Sequence, residues 1–232
     1  MTVLKLSSIL NVSPSTIRRD LKILERGGTI GKFHGGASSY TSRNLFSKRE
    51  LLNREEKKLI GIAAAKLIKN GTTIILDAGT TVAQIAKNLN YRKDLTVVTT
   101  AVNIARLLQE KPDFKVLLTG GLLSLEADSL IGVLAKQAFD HINADIAFLG
   151  CEGISIDSGI MYPDLDIVEI KRAMVNSAKE TVLVADHSKF NRISLTSAFP
   201  VTAMDKVITD DKLSREYIKA LESKGVEVII AG

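Results

Sequence analysis

The chain has 232 residues, 45% hydrophobic and 25% charged, with only 4 Pro and 16 Gly. That composition excludes a disordered or low-complexity protein and supplies ample apolar material for a packed core. One cysteine, Cys151, and three histidines exclude a disulfide framework and a structural zinc site, so neither metal nor cofactor is expected.

No apolar run approaches the roughly 18 residues of a membrane span, and the N-terminus lacks a signal-peptide layout. A cytoplasmic protein with no membrane partner is the expectation. The net charge of +5 is unevenly placed. Residues 1–37 carry six basic and two acidic side chains, residues 38–58 six and three, and the remainder 19 and 21. A basic head on a near-neutral body suits a partner with a phosphate backbone.

In chain order, residues 1–37 read as two short helices and a hairpin. Leu6, Ile9 and Leu10 share one helical face, and Asn11-Val12-Ser13 forms a tight connection in which Asn tolerates a left-handed backbone. Ser13 then caps a second helix, with Pro14 at the first helical position, where its missing N–H costs nothing. Ile17, Leu21 and Leu24 recur at helical spacing and point inward. Gly27-Gly28 ends that helix, and Thr29 to Phe33 reads as a strand closed by Gly35-Gly36. Residues 38–53 are polar and unpatterned, as in a linker.

From residue 54 strands alternate with helices. The strand-like runs are Thr73–Leu76, Thr96–Thr99, Lys115–Leu118, Asp145–Leu149, Val182–Ala185, Lys206–Thr209 and Val226–Ala231; the amphipathic runs are Val82–Leu89, Val102–Gln109, Ile167–Ala178 and Ser214–Lys224. Near-continuous apolar strands in such an alternation imply a mainly parallel sheet covered on both faces, an α/β fold behind a small helical head.

Two helices joined by about three residues form a helix-turn-helix pattern. Its second helix offers Ser15 and Thr16 to bases or phosphates, and Arg18, Arg19 and Lys22 point outward; Lys32 and His34 would sit on the adjoining hairpin. The string Val12-Ser13-Pro14-Ser15-Thr16-Ile17-Arg18-Arg19-Asp20-Leu21, with Leu24-Glu25 and Phe33-His34-Gly35-Gly36-Ala37, closely resembles the DeoR family of bacterial transcription regulators. The resemblance implies a winged helix-turn-helix that binds operator DNA, with Arg18 and Arg19 on the recognition helix. The family's preceding helix has no counterpart in this string. That departure implies an incomplete head in which Leu6, Ile9, Ile17 and Leu21 lack one packing partner.

In the body, Asp77-Ala78-Gly79-Thr80-Thr81 links a strand to a helix through small residues, a backbone suited to phosphate. It is neither a P-loop nor a dinucleotide fingerprint, and a Gly-Thr-Thr turn alone is also a plain strand-to-helix connection. Polar or small loops follow other strands too: Thr99 to Asn103, Thr119-Gly120-Gly121, Gly150 to Ile154 and Asp186 to Phe190. On an open α/β sheet these would share the carboxyl-end rim, where ligands bind.

This order is similar to the DeoR sensor domain, whose fold resembles ribose-5-phosphate isomerase and glucosamine-6-phosphate deaminase. The matching residues are Glu56-Lys57, Asp77 to Thr81, Thr119 to Gly121, Glu169 to Met174 and Asp186 to Phe190. The resemblance divides the chain into a head at 1–37, a linker at 38–53 and a sensor domain at 54–232. It implies a small phosphorylated sugar as effector, held by Asp77, Gly79, Thr80, Thr81, Thr99, Gly120, Gly121, Glu152 and Asp186, with Lys171 and Lys189 neutralising charge and Lys57 contributing. Ile60 to Leu67 and Ser188 to Arg192 look most like the amino-sugar and galactitol branch. The expectation is a repressor of a carbohydrate operon, assembled as a dimer or tetramer. Two alternatives stay open: an isomerase or deaminase using Asp77 or Glu152 as base, and an effector-binding protein with no DNA role.

Cys151 reads as a small buried side chain rather than a nucleophile. His187 reads as an orienting group, and Asp164, Asp166 and Glu169 as a solvated helix start.

Overall fold

The computed structural model describes residues 2–26, 30–33, 36–39, 45–125 and 127–232. It divides into two compact units, Met1–Arg54 and Glu55–Gly232.

In the first unit, α1 (Val3–Leu10) ends at Asn11, which adopts the left-handed conformation at φ 51°. Ser13 Oγ accepts from the Thr16 N–H at 3.1 Å and so caps α2 (Pro14–Arg26). Ile17 and Leu21 are buried, with Val3 and Leu6 packed against them. Ile9 and Leu10, read as sharing a helical face with Leu6, are exposed. Strands β1 (Ile30–Phe33) and β2 (Gly36–Ser39) pair antiparallel. Gly27, Gly28, Thr29, His34, Gly35 and residues 40–44 lie outside the described residues. Within the span read as a linker, Leu45–Leu51 forms a helix, α3.

The second unit is built on seven parallel strands. They are β3 (Thr73–Leu76), β4 (Thr96–Thr99), β5 (Lys115–Leu118), β8 (Ala144–Leu149), β11 (Ala178–Val184), β13 (Lys206–Asp210) and β14 (Glu227–Ala231). Their spatial order is β14-β13-β11-β8-β3-β4-β5. Helices α4 (Arg54–Leu67), α5 (Thr80–Lys87), α6 (Val102–Leu108), α8 (Leu165–Asn176) and α9 (Arg215–Ser223) accompany the sheet. The central strands bury both faces, as with Ile74, Ile75 and Leu76 or Phe148 and Leu149. Each such side chain contributes about 1.5–3 kcal/mol of transfer free energy.

Two smaller sheets were not visible as strand patterns. One is the hairpin of β6 (Leu122–Ser124) and β7 (Ser129–Ile131), followed by α7 (Val133–Gln137). The other is the antiparallel set of β9 (Gly153–Ser155), β10 (Gly159–Tyr162) and β12 (Thr196–Phe199).

The order of the large sheet positions the site. The chain runs outward from β3 through β4 to β5, then returns to place β8 on the opposite side of β3. Carboxyl ends of β3 and β8 therefore flank a topological switch point, where the following connections diverge and leave a crevice.

Candidate effector site and nucleic-acid interface

Asp77 sits at the switch point, fully buried one residue beyond β3. Its main-chain N–H donates to Phe148 O at 3.0 Å. One carboxylate oxygen accepts from the Ala78 N–H at 2.6 Å and from Lys171 Nζ; the other accepts from the Gly150 N–H at 3.1 Å. Asp77 thus ties the ends of β3 and β8 together. Lys171, on α8, is buried with it and lies 5.6 Å from the Tyr162 ring centroid. The Tyr162 hydroxyl donates to Gly150 O at 2.8 Å. Burial first, and the Asp77 charge second, push the Tyr162 phenol well above its ordinary range.

Above this floor the backbone is open. Gly79 stands at φ 155°, ψ 157°, a region essentially restricted to glycine, and caps α5 without a side-chain hydrogen bond. A Cβ there would meet no atom within 4 Å. Thr80 and Thr81 follow, both buried.

Across the switch point, Glu152 Oε2 accepts from Lys189 Nζ at 3.3 Å, and Arg192 pairs with Oε1. Two cations thus share one carboxylate. Gly153 makes the arrangement possible, since a Cβ there would fall 2.1 Å from Arg192 O. Asp186 Oδ1 accepts from the Ser188 N–H at 3.1 Å and caps the single turn His187–Lys189 that carries Lys189. His187 Nδ1 lies 2.9 Å from Asp210 Oδ1. Burial drives the Cys151 thiol up to about 12.

On the other side of β3, Thr99 is buried and its hydroxyl accepts from the Ala101 N–H at 3.0 Å. Two buried polar atoms on this stretch of rim lack a hydrogen-bond partner, Thr119 Oγ1 and Asn103 Oδ1. Each carries a desolvation cost of about 1–3 kcal/mol that a polar ligand relieves.

In the first unit, Ser15, Arg18, Arg19 and Lys22 are exposed along α2, and Thr16 is half-buried. Ser13 is engaged in capping, with hydroxyl contacts to Ser15 at 2.7 Å and Thr16 at 2.9 Å. Lys32 lies on β1, and His34 is outside the described residues. The geometry is a short turn between two helices, the second presenting its basic side outward and followed by a hairpin.

The family model described as a DeoR-like helix-turn-helix domain matches residues 1–43, and that described as the DeoR C-terminal sensor domain matches residues 52–211. The chain belongs to the DeoR family of transcriptional regulators. It is 37% identical to the HTH-type transcriptional regulator GolR of Listeria innocua serovar 6a (strain ATCC BAA-680 / CLIP 11262), over 100% of this chain and 92% of that protein. It is 33% identical to the putative aga operon transcriptional repressor of Escherichia coli O157:H7, over 98% of this chain and 86% of that protein. Ribose 5-phosphate isomerase A from Methanocaldococcus jannaschii matches with a TM-score of 0.44 and 19% identity, covering 60% of this chain and 55% of that one.

Against this DeoR framework, Asp77, Gly79, Thr80, Thr81, Glu152, Asp186 and Lys189 all lie on the carboxyl-end rim of β3, β8 and β11, and Thr99, Gly120 and Gly121 continue it along β4 and β5. Lys171 differs from its expected part. It is sealed beneath the rim by its pair with Asp77 rather than open to a ligand. Lys57 is also buried, within α4. Asp164 caps α8 by accepting from the Asp166 N–H at 2.7 Å, as expected of a helix start.

Sequence reasoning missed Tyr162 and did not place Arg192 in the site. Tyr162 falls in a three-stranded sheet with no strand signal, and Arg192 reaches the site only because Gly153 admits its backbone. The glycine at the end of Gly150-Cys151-Glu152-Gly153 and the string Ser188 to Arg192 were the available signals for Arg192.

Proposed function

We propose that this chain represses a carbohydrate-utilisation operon and that a phosphorylated sugar on the sensor rim controls its grip on operator DNA. The observation that carries this reading is the cluster at the switch point. There a glycine-only backbone at Gly79 follows Asp77 of the buried Asp77–Lys171 pair, on the same carboxyl-end rim as a carboxylate shared by Lys189 and Arg192. A phosphate competes with Glu152 for those cations, while Thr80, Thr81 and the first turn of α5 supply donors. Thr99, Asn103, Thr119, Gly120 and Gly121 hold the sugar hydroxyls. An amino-sugar or hexitol phosphate is the effector class, a choice that rests on the resemblance of Ile60 to Leu67 and Ser188 to Arg192.

Arg18, Arg19 and Lys22 on α2 contact the major groove, with Ser15 and Thr16 at its entrance and Lys32 on β1; His34 is proposed as a further DNA contact. One short head makes few phosphate contacts, so the protein acts as a homo-oligomer whose paired heads read half-sites about 34–36 Å apart. The effector binds one sensor conformation more tightly than the other and so changes the affinity for DNA.

The test is a gel shift with DNA from upstream of the chain's own operon, with and without a series of sugar phosphates. Retention that one phosphorylated sugar alters, and its unphosphorylated form does not, supports the proposal. Retention insensitive to every sugar phosphate contradicts effector control.

A further inference from the structure

Strand β5 ends one side of the seven-stranded sheet, and among the described residues it pairs only with β4. Edge strands are normally blunted by charge, brevity or cover. This one is four residues long and starts with exposed Lys115, yet it also leaves Leu117 and Leu118 bare. The chain that follows extends the same apolar surface. Leu122 is 72% and Leu125 62% exposed in the β6–β7 hairpin, and Val133 is 69% and Leu134 65% exposed on α7.

Alternation along β5 sends Leu117 to one face and Leu118, with Gly120, to the other; Leu118 and the bare side chains of the hairpin and α7 form one surface. Leu122 pairs with Ile131 across the hairpin, two residues before Val133. A Cβ on Gly120, just after β5, would lie 3.8 Å from the Leu134 Cβ. Leu118, Leu122, Leu125, Val133 and Leu134 together present on the order of 500 Å² of apolar surface, near the upper end of what a monomer leaves bare. A standard interface takes about 800 Å² from each partner, and about 65% of it is apolar between identical subunits, or about 500 Å². The patch therefore supplies the apolar part of one complete interface. An edge strand that needs a partner is matched by the edge strand of an identical copy running antiparallel to it about a two-fold axis.

We infer that the surface formed by β5, the β6–β7 hairpin and α7 is the contact between two copies of this chain. The contact lies directly beside Thr119, Gly120 and Gly121 on the rim, so whatever occupies that rim touches the base of the interface.

The experiment is light scattering coupled to size exclusion on the full chain at micromolar concentration. The wild type is expected at twice the chain mass or a larger multiple. The double variant Leu122→Glu with Leu134→Glu is expected at half the wild-type mass or less, with dissociation at least 100-fold easier and an unchanged far-UV circular dichroism spectrum. Leu195→Glu, at an equally bare leucine (82% exposed) outside the patch, is expected to keep the wild-type mass. Should the double variant lose its spectrum, the single Leu122→Ser, which adds no charge, is read by the same criterion. A monomeric wild type overturns the inference, as it would if the patch serves a different protein. So does a folded variant of unchanged mass.

Discussion

Removing the Lys171 ammonium while keeping its length, as in Lys171→Met, leaves the Asp77 carboxylate buried with two donors, the N–H groups of Ala78 and Gly150. Both side chains of the pair are almost wholly enclosed. Deleting one partner of such a pair costs about 3–5 kcal/mol, since the remaining charge has no counter-ion and no water. The two backbone donors place this case at the low end, about 3 kcal/mol. A unit of this size loses about 2–4 °C of melting temperature per kcal/mol, so calorimetry is expected to find a transition roughly 6–12 °C lower. Adding Asp77→Asn removes the stranded charge and recovers part of that loss, giving a coupling energy in the double-mutant cycle. A shift below about 2 °C for Lys171→Met would refute the reasoning, because it would mean the pair is hydrated rather than buried.

Three further outcomes follow from the geometry. Gly79→Ala forces a Cβ into backbone conformation that only glycine occupies comfortably, and is expected to lower stability by about 1–3 kcal/mol in urea unfolding; an unchanged midpoint would show that the loop relaxes freely. Arg18→Ala and Arg19→Ala are each expected to weaken operator binding by about 1–3 kcal/mol in a gel shift, leaving melting of the sensor unit untouched; full retention removes α2 from the interface. With the Cys151 thiol held up to about 12 by burial, its thiolate is scarce below that pH. A thiol reagent at pH 8 should therefore label the native chain at least 100-fold more slowly than the urea-unfolded chain, and equal rates would contradict the burial.

The seven strands of the main sheet were legible because buried parallel strands are apolar on both faces, which leaves an unbroken run such as Thr73–Leu76 or Thr96–Thr99. Their ends were less so. β11 begins at Ala178 rather than Val182 because its backbone pairs with β8 from Ala144 onward, while the charged Lys179 and Glu180 hide that start in the sequence. The hairpin and the β9-β10-β12 sheet escaped notice for a different reason. Their strands are three or four residues long, and β6 carries exposed leucines where alternation would be the cue. In the site, the loop residues were readable from position alone, since every parallel strand ends on one rim. The division of labour among the lysines was not. Whether Lys171 or Lys189 stays near solvent depends on how α8 and the 187–189 turn lie against β3 and β8, a relation set by contacts some 94 and 37 residues apart in the chain.

The most direct measurement is the melting temperature of the wild type and of Lys189→Ala against a panel of sugar phosphates, the matching free sugars and inorganic phosphate, with product formation followed in parallel. At about a hundred times its dissociation constant a ligand adds about 2.7 kcal/mol. One phosphorylated amino sugar or hexitol is expected to raise the wild-type melting temperature by roughly 5–10 °C, without turnover, and to leave Lys189→Ala unmoved. No shift with any phosphorylated carbohydrate, or an equal shift in the variant, would contradict a phosphate-binding rim.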